Sequence, residues 1–227
     1  MDIRIDRIAV GVTSCYLVRH EGTLLVDCGM RGAGPAFRKA LAALDVRPEQ
    51  VGLILLTHGH DDHVGSAREI ADITGAKIAM HRADGDWLAQ GRPVPARAAS
   101  GLARLMLGIT QSALARAHVA PLVPDVVIGD EGLSLEGYGI PGRVMHTPGH
   151  TAGSVTLLLP DGKALVGDMA MNGFPLLGRR PGLPIVADDL TTVRASWRML
   201  LEQGVITAYP GHGGPFRAEA MSAFLVG

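Results

Sequence analysis

The sequence predicts an α/β protein in which two β-sheets pack face to face and helices cover both outer faces. Three observations lead to this prediction. Short apolar or alternating runs bounded by turn residues indicate strands in each half of the chain. Stretches with the helical spacing of apolar residues follow each group of strands. The resulting order of strands, helices, strands and helices gives the halves a similar layout, although no sequence repeat relates them.

The first half contains five predicted strands and two predicted helices. The helix that follows the third strand is indicated by Phe37, Leu41 and Leu44, which share one face. The predicted strands are 3–10, 14–18, 23–26, 51–56 and 76–80, and the predicted helices are 35–44 and 64–71.

A helical insert is predicted around residues 84–120. Leu102, Leu105, Met106 and Ile109 fall on one face of it, as in an amphipathic helix. Such a helix docks its apolar face on the core. Covering a substrate pocket and forming a contact in a homo-oligomer are alternative roles with the same pattern.

The second half repeats the pattern of short strands followed by a helix. Asp161-Gly162 is a hairpin-turn signal between two of these strands. The predicted strands are 125–128, 133–136, 143–146, 155–159, 164–168 and 205–208, with a helix over 188–202 and a final short helix after residue 214.

Length and composition indicate one globular domain over residues 1–227. The hydrophobic fraction of 47% supports a sizeable core, and the formal net charge of −1 favours neither nucleic acid nor an anionic membrane as a partner. The charged N-terminus does not resemble a signal peptide, and no apolar run is long enough to span a membrane, so we expect a cytoplasmic protein. Cys15 and Cys28 are expected to be reduced core residues.

The most informative stretch is Thr57–His63, where three histidines and two aspartates directly follow an apolar strand. The histidine spacing of i, i+2 and i+5, with Gly59 between the first two, predicts a loop rather than one face of a helix. Neutral imidazoles and carboxylates are ligands for zinc, iron and manganese. The sequence therefore predicts a metal site here, the alternative being a polar turn with incidental histidines.

Further candidate ligands occur in turns and at strand ends later in the chain. His150 and His212 lie in Pro-Gly-His turns, and Asp168 ends a strand. Asp27 ends an earlier strand, where it either orients a metal ligand or stabilises its own turn. His81 also follows a strand, and a turn or helix-cap role is favoured for it over contact with the site.

The His58-x-His60-x-Asp62-His63 motif, with the later His150, Asp168 and His212, resembles the metallo-β-lactamase superfamily of hydrolases. The resemblance extends over nearly the whole chain and implies a four-layered αβ/βα sandwich with metals at one edge of the paired sheets. It also implies that His58, His60 and His150 bind one metal ion, that Asp62, His63 and His212 bind a second, and that Asp168 bridges the two.

The same resemblance implies a hydrolase with two divalent cations, expected to be Zn²⁺ with iron or manganese as alternatives, and a bridging hydroxide. Asp62 is then also the catalytic residue that orients the hydroxide or passes a proton. Asp168 disfavours a true β-lactamase, and only 15 residues follow His212, too few for the glutathione-binding domain of full-length glyoxalase II.

With these two branches disfavoured, the resemblance implies a small-molecule ester, thioester or lactone as the substrate. The alternatives are a phosphodiesterase, an iron-dependent oxygenase of the persulfide dioxygenase kind, and a catalytically silent binding protein. The segment from Met169 to Ala187 contains Phe174, Leu176 and Leu177 and then Arg179 and Arg180, so it is either a substrate lid with a cationic contact or an ordinary surface connection.

Overall fold

The computed structural model describes residues 2–99, 101, 118–173 and 180–225. Its strands are β1 (Arg4–Val10), β2 (Thr13–Arg19), β3 (Thr23–Val26), β4 (Val51–Leu55), β5 (Lys77–His81), β6 (Val126–Ile128), β7 (Leu133–Ser134), β8 (Arg143–His146), β9 (Val155–Leu158), β10 (Lys163–Asn172), β11 (Pro181–Gly182), β12 (Thr207–Gly213) and β13 (Phe216–Arg217). Its α-helices are α1 (Gly34–Ala43), α2 (Asp61–Val64), α3 (Ala67–Thr74), α4 (Arg82–Ala89) and α5 (Leu190–Glu202), and Pro48–Gln50, Glu136–Tyr138 and Ala218–Phe224 form 3₁₀ turns.

The strands form one hydrogen-bonded sheet in the order β6-β5-β4-β3-β2-β12-β10-β9-β8-β7, with β1, β11 and β13 paired at its sides. Strands β3 to β6 are parallel, as are β10 and β12. The N-terminal and C-terminal halves meet where β2 pairs with β12 at Thr13 and His212. The two predicted sheets are therefore the two halves of one continuous sheet.

The hydrophobic core is divided into three clusters, and these establish the layers. One cluster packs Phe37 and Ile70, from helices α1 and α3, against the N-terminal half of the sheet. A second lies between the two halves and includes Leu53 and Leu157. A third packs Trp197 of α5 against the C-terminal half. The order helix, sheet, sheet, helix confirms the predicted four-layered fold.

Local sequence explains the bounds of several helices. Helix α5 begins at Asp189, whose carboxylate accepts hydrogen bonds from the backbone N–H groups of Thr191 and Thr192. Helix α3 ends at Gly75, which has a φ of 73°, a conformation that glycine adopts without a steric penalty. These signals fix where the two helices begin or end, and the core clusters place the helices on opposite sides of the sheet sandwich.

Two strands run further than the sequence predicts. β10 continues to Asn172 rather than ending at Asp168, and β12 continues to Gly213, so that His212 lies in a strand and not in a turn. The two strands pair in parallel as far as Met171 with His212 and Asn172 with Gly213. This pairing overrides the turn signals of the local sequence, and the predicted lid at Met169 begins only after the strand.

The helical insert predicted around residues 84–120 is described only in part: helix α4 covers its beginning, and residue 101 is also helical. Helix α4 ends at Ala89, and the chain continues without helix to residue 97 because Gly91, with a φ of 69°, Pro93 and Pro95 interrupt the pattern. The apolar face that was predicted over Leu102–Ile109 lies outside the described residues. No described helix is long and apolar enough to cross a membrane.

Trp197 connects helix α5 to the strand that carries Asp168. Its side chain is fully buried, and its Nε1–H donates a hydrogen bond to the Met169 carbonyl over 2.7 Å. The ring also contacts Phe216 at a centroid distance of 6.3 Å. The position of β10 next to the cluster of histidines therefore depends on this contact.

We expect Trp197→Phe to lower the free energy of unfolding by about 1–3 kcal/mol, because the buried Met169 carbonyl loses its donor. The measurement is unfolding in guanidinium chloride, where the variant should keep the m-value of the wild type. The control is Trp87→Phe, at a half-buried tryptophan in α4, which we expect to cost less. Equal losses for the two variants would contradict the assigned role of the Trp197 hydrogen bond.

Candidate metal centre

All seven residues predicted as metal ligands lie in one cluster, at the end of the sandwich where the two halves of the sheet meet. They come from five segments of the chain: the loop after β4 (His58, His60), helix α2 (Asp62, His63), the turn between β8 and β9 (His150), strand β10 (Asp168) and strand β12 (His212).

The predicted metal loop is wrong over its second part, because Asp61–Val64 form a helical turn, α2. His60 lies at the N-cap position, and Asp61 and Asp62 occupy the first turn, where carboxylates interact favourably with the helix dipole. The predicted helix over 64–71 begins only at Ala67. The turn brings Asp62 and His63 into the cluster, where the His63 ring lies 4.0 Å from that of His58.

Three histidines form the first donor group. The ring centroids of His58, His60 and His150 lie 4.5–4.8 Å apart, and the rings are nearly perpendicular to one another. His60 Nδ1 and His150 Nε2 are 2.9 Å apart. We call these residues the three-histidine group. Their nitrogens converge on one point, as ligands of a single cation do.

The second donor group consists of Asp62, His63 and His212. His212 Nε2 lies 3.1 Å from Asp62 Oδ2, and His63 Nε2 lies 3.8 Å from the same oxygen. The rings of His63 and His212 are 5.6 Å apart. This group, called here the aspartate–histidine group, differs from the first in containing a negative charge.

Asp168 lies between the two groups. Its Oδ2 is 3.8 Å from His150 Nε2 of the first group and 3.2 Å from His212 Nε2 of the second, and its Oδ1 is 3.4 Å from His63 Nε2. A carboxylate within reach of both groups has the arrangement of a bridging ligand. That Asp168 binds two metals remains a prediction.

Hydrogen bonds behind the cluster orient four of the five rings. In each of them Nδ1 contacts a protein oxygen, so Nε2 points towards the cluster. The partners are Thr57 Oγ1 for His58 at 3.0 Å, Asp27 Oδ2 for His63 at 2.8 Å, the Val186 carbonyl for His150 at 2.7 Å and the Val12 carbonyl for His212 at 3.0 Å.

Asp27 has the largest number of these contacts. Its buried carboxylate accepts hydrogen bonds from the backbone N–H and the hydroxyl of Thr57 and lies against His63 Nδ1. Of the two roles predicted for Asp27, these contacts favour orienting a ligand over stabilising its own turn. The residue has a φ of 62°, a strained conformation for a non-glycine residue that often occurs at functional sites.

The glycine that precedes His212 in strand β12 is required for steric reasons. A Cβ atom at Gly211 would lie 2.5 Å from His63 Cε1 and would also collide with Asp168. Only glycine lets strand β12 pass this close to two of the predicted ligands.

The cluster fits divalent cations on two counts. Among the described residues, the buried atoms His58 Nε2, His63 Nε2 and Asp168 Oδ1 have no hydrogen-bond partner, and all three face the cluster. Buried polar atoms without partners are costly unless a ligand satisfies them. Atoms bound to zinc in a tetrahedral site at about 2.0–2.2 Å lie about 3.3–3.6 Å apart. The ligand atoms within each donor group here lie within 4.8 Å of one another, and His60 Nδ1 and His150 Nε2 are 2.9 Å apart.

The two groups differ in protonation. Burial lowers the pKa of all three imidazoles in the three-histidine group, to about 3 for His60, and the neighbouring imidazoles add to this. These rings are neutral at pH 7, so their lone pairs are ready for a metal.

In the aspartate–histidine group and Asp168, carboxylates and imidazoles stabilise each other's charged forms. Burial opposes this, but Asp168 and Asp62 raise the pKa of His63, and they raise that of His212 to about 10. His63 and His212 in turn lower the pKa of both carboxyls. Without metal, both histidines of this group are therefore protonated at pH 7.

His81 is confirmed as a helix cap, because its Nδ1 accepts from the backbone N–H of Ala83 at the start of α4. Its ring stacks on His146 at 4.0 Å, and Asp130 lies 3.2 Å from its Nε2. Stacked rings have parallel lone pairs, which do not converge on one cation. Arg82 also pairs with Asp130, so we assign this cluster a structural role.

Several residues of the site were not predicted from the sequence. Thr57 and the carbonyls of Val12 and Val186 carry no distinctive signal, since any residue supplies a carbonyl. Asp84 was predicted only as the beginning of a helical insert, yet its buried carboxylate accepts hydrogen bonds from Gly59 and from the turn after His150. An aspartate in the first turn of a helix is too common to reveal this role.

The predicted substrate lid is only partly described. Phe174, Leu176, Leu177 and Arg179 lie outside the described residues, and Arg180 is exposed. The predicted cationic contact therefore remains a prediction.

The metal-free protein should lose stability as the pH rises from about 7 to about 8. Nearer pH 6.5 the neutral three-histidine group acts in the opposite sense, because the unfolded chain binds protons there that the folded state does not. The folded state keeps protons on His63 and His212, whereas the unfolded chain releases them above pH ~6.5. Because the folded state then binds more protons, the free energy of unfolding falls by up to about 1.4 kcal/mol per pH unit for each group.

Urea unfolding of chelator-treated protein at three pH values in this range measures the slope. Burial raises the pKa of the Cys15 and Cys28 thiols, but the range ends about half a pH unit below the ordinary thiol pKa of ~8.5, so they contribute less to the slope than the two histidines. We expect His212→Gln to reduce the slope and His20→Gln, outside the cluster, to leave it unchanged. A flat profile for the wild type would show that the two histidines are not protonated in the folded state.

Comparisons with known proteins agree with these observations. A family model described as the metallo-beta-lactamase superfamily matches residues 8–212. An uncharacterized protein of Mycobacterium tuberculosis is 30% identical over 207 residues, which cover 88% of this chain and 85% of that protein. A hydroxyacylglutathione hydrolase of Acidiphilium cryptum is 32% identical over 154 residues, 67% of this chain and 47% of that protein.

Among solved structures, a metallo-beta-lactamase family protein from Thermus thermophilus is similar with a TM-score of 0.67 and 25% identity, covering 98% of this chain and 78% of that chain. One conclusion follows from the fold, from the seven convergent side chains and from the family match over most of the sequence. The chain belongs to the metallo-β-lactamase superfamily.

Proposed function

We propose that this protein is a metal-dependent hydrolase with a dinuclear centre that cleaves an ester, thioester or lactone. The observation that carries the proposal is the position of Asp168, within 3.2–3.8 Å of histidines in two separate donor groups. One such carboxylate between two complete groups is suited to holding two cations close together. A mononuclear oxygenase would need only one of the groups.

Two divalent cations bound at these groups would polarise a substrate carbonyl and lower the pKa of a water molecule. The residues of this chain would contribute position and charge. The hydrogen bonds that the rings donate to Asp27, Thr57 and main-chain carbonyls restrict them before substrate arrives. A site held in place in this way needs no reorganisation during the reaction.

Asp62 is the predicted ligand best placed to exchange a proton with substrate. Its side chain is 22% exposed, whereas those of His63, Asp168 and His212 are 0–7% exposed. The neighbouring histidines lower the pKa of its carboxyl against the effect of burial, so it is ionised at neutral pH. An ionised carboxylate at the exposed side of the cluster can orient the attacking water and accept its proton.

The substrate class is supported by the chemistry and by one relative. The hydroxyacylglutathione hydrolase of Acidiphilium cryptum is named for thioester cleavage, although this chain spans about half of that protein. The net charge of −1 supports a small molecule rather than nucleic acid as the substrate. Zinc is the proposed metal, because imidazole and carboxylate ligands suit it.

The purified protein should contain about two equivalents of metal, and removal of the metal should abolish hydrolysis. Metal analysis and a panel of thioesters, lactones, esters, phosphodiesters and β-lactams in one preparation provide the test. Zn²⁺ returned to the chelated protein should restore activity. Turnover confined to phosphodiesters or β-lactams would overturn the substrate class, and substrate-dependent oxygen consumption would overturn hydrolysis.

Asp62→Asn should lower kcat by about 10²–10⁴-fold, the usual contribution of a positioned acid or base. The matched control is Asp61→Asn, in the same turn of α2 and outside both donor groups. Steady-state kinetics with excess Zn²⁺ and metal analysis of each variant separate a lost proton acceptor from a lost ligand. An Asp62→Asn variant that keeps both metals and full turnover would remove the proton-handling role.

A further inference from the structure

Asp84 is a buried carboxylate outside both donor groups. It lies in the first turn of α4 and is 1% exposed. Its Oδ2 accepts hydrogen bonds from the backbone N–H of Gly59 at 2.9 Å and from the hydroxyl of Thr151 at 2.7 Å, and its Oδ1 accepts from the backbone N–H of Gly153 at 2.8 Å. Three donors on one carboxylate fix its position closely.

The donors come from the two segments that carry the three-histidine group. Gly59 lies between His58 and His60, and Thr151 directly follows His150. None of the donors belongs to helix α2 or strand β12, which carry the aspartate–histidine group. Asp84 therefore links the segment that carries His58 and His60 to the segment that carries His150. His60 Nδ1 and His150 Nε2, one from each segment, are 2.9 Å apart.

The chain around Asp84 leaves little room for adjustment. A Cβ atom at Gly153 would lie 2.6 Å from the Asp84 carboxyl carbon, and one at Gly59 would lie 2.4 Å from Val94, whose backbone N–H donates to the Gly59 carbonyl. The hydroxyl of Thr151 is held from its other side by Ser154 Oγ at 2.9 Å. Both segments are thus shaped to approach the carboxylate closely.

The fold does not depend on Asp84 alone for this junction. The backbone N–H of Val155 donates to the Thr57 carbonyl at 2.8 Å, which joins the same two segments below the cluster. Val94 also donates to the Gly59 carbonyl at 2.7 Å. Loss of Asp84 should therefore disturb the spacing of the histidines without separating the strands.

Asp27 provides a contrast. It contacts the ring of His63 directly and reaches His58 only through Thr57, so it acts on both donor groups. The hydrogen-bond partners of Asp84 among the described residues are Gly59, Thr151 and Gly153, which neighbour the ligands of one group and are not ligands themselves. Its effect should therefore be selective.

We propose that Asp84 is a positioning residue that sets the spacing of the three-histidine group and thereby the affinity of that group for its metal ion. The inference rests on the proposed function, because it requires the three-histidine group to bind a metal ion. It goes further by assigning a residue outside the ligands to one of the two sites.

The test uses Asp84→Asn, which keeps the shape of the side chain. Whichever way the amide is turned, its NH₂ group faces a backbone N–H, of Gly59 or of Gly153, so one hydrogen bond is lost and two donors oppose each other. Two stepwise Zn²⁺ dissociation constants are measured at pH 7.5 by competition with a chromophoric chelator. His150→Ala and His212→Ala identify which constant belongs to which group.

We expect Asp84→Asn to weaken binding at the three-histidine group by about 10–100-fold, the usual effect of losing a residue that orients metal ligands. The other constant should change less than about threefold. Asp86→Asn is the matched control, because Asp86 is an exposed aspartate of the same helix, and it should change neither constant. Thr151→Val removes one donor alone and should produce a smaller change at the same group.

The outcomes separate this proposal from the proposed function. Two Zn²⁺ sites in the wild type with both constants unchanged in Asp84→Asn, or with both weakened equally, would overturn the positioning role and leave the dinuclear centre intact. A wild type that binds no ion at the three-histidine group would overturn both. Should Asp84→Asn fail to fold, Thr151→Val decides, and an unchanged constant at the three-histidine group then overturns the role.

Discussion

Seven metal-binding or ionisable side chains share one buried space, and the arrangement around them follows from that constraint. Burying unpaired carboxylates or imidazolium ions is costly. In the metal-free protein the cost is reduced in two ways: the three-histidine group stays neutral, and His63 and His212 hold protons against Asp62 and Asp168. The cluster therefore requires positive charge, which protons supply in one group and which divalent cations can supply in both.

The sheet provides the geometry for this charge balance. His58 and His60 follow the carboxyl end of β4, and parallel β10 and β12 carry Asp168 and His212 towards their own carboxyl ends. Open parallel sheets commonly bind ligands at this edge. Because β12 also pairs with β2 at Thr13, strands from both halves reach the cluster with fixed separation. Hydrogen bonds donated by the rings to Asp27 and to main-chain carbonyls then restrict the rings themselves.

The sequence predicted the strands and the candidate ligands well because both have local signals. β3 and β8 occur as predicted, and the seven candidate ligands, which the structure brings together, are recognisable from their spacing and their turns. The failures arose where tertiary contacts override local preference. Parallel pairing extends β10 and β12 through glycine and proline signals, and a dipole-stabilised turn replaces the predicted loop at Asp61. Asp84 could not be found from sequence, because its partners are 25 to 69 residues away.

The same charge count bears on how the centre would act on substrate. With all five imidazoles neutral, Asp62 and Asp168 contribute two negative charges, and two divalent cations contribute four positive ones. The loaded centre would carry a net charge of +2 before any anion binds. Such an excess in a buried site favours transition states in which negative charge develops on oxygen, as in attack on an ester or thioester carbonyl. In the proposed centre the two carboxylates would hold the cations while leaving part of the positive charge of the cations for the reaction.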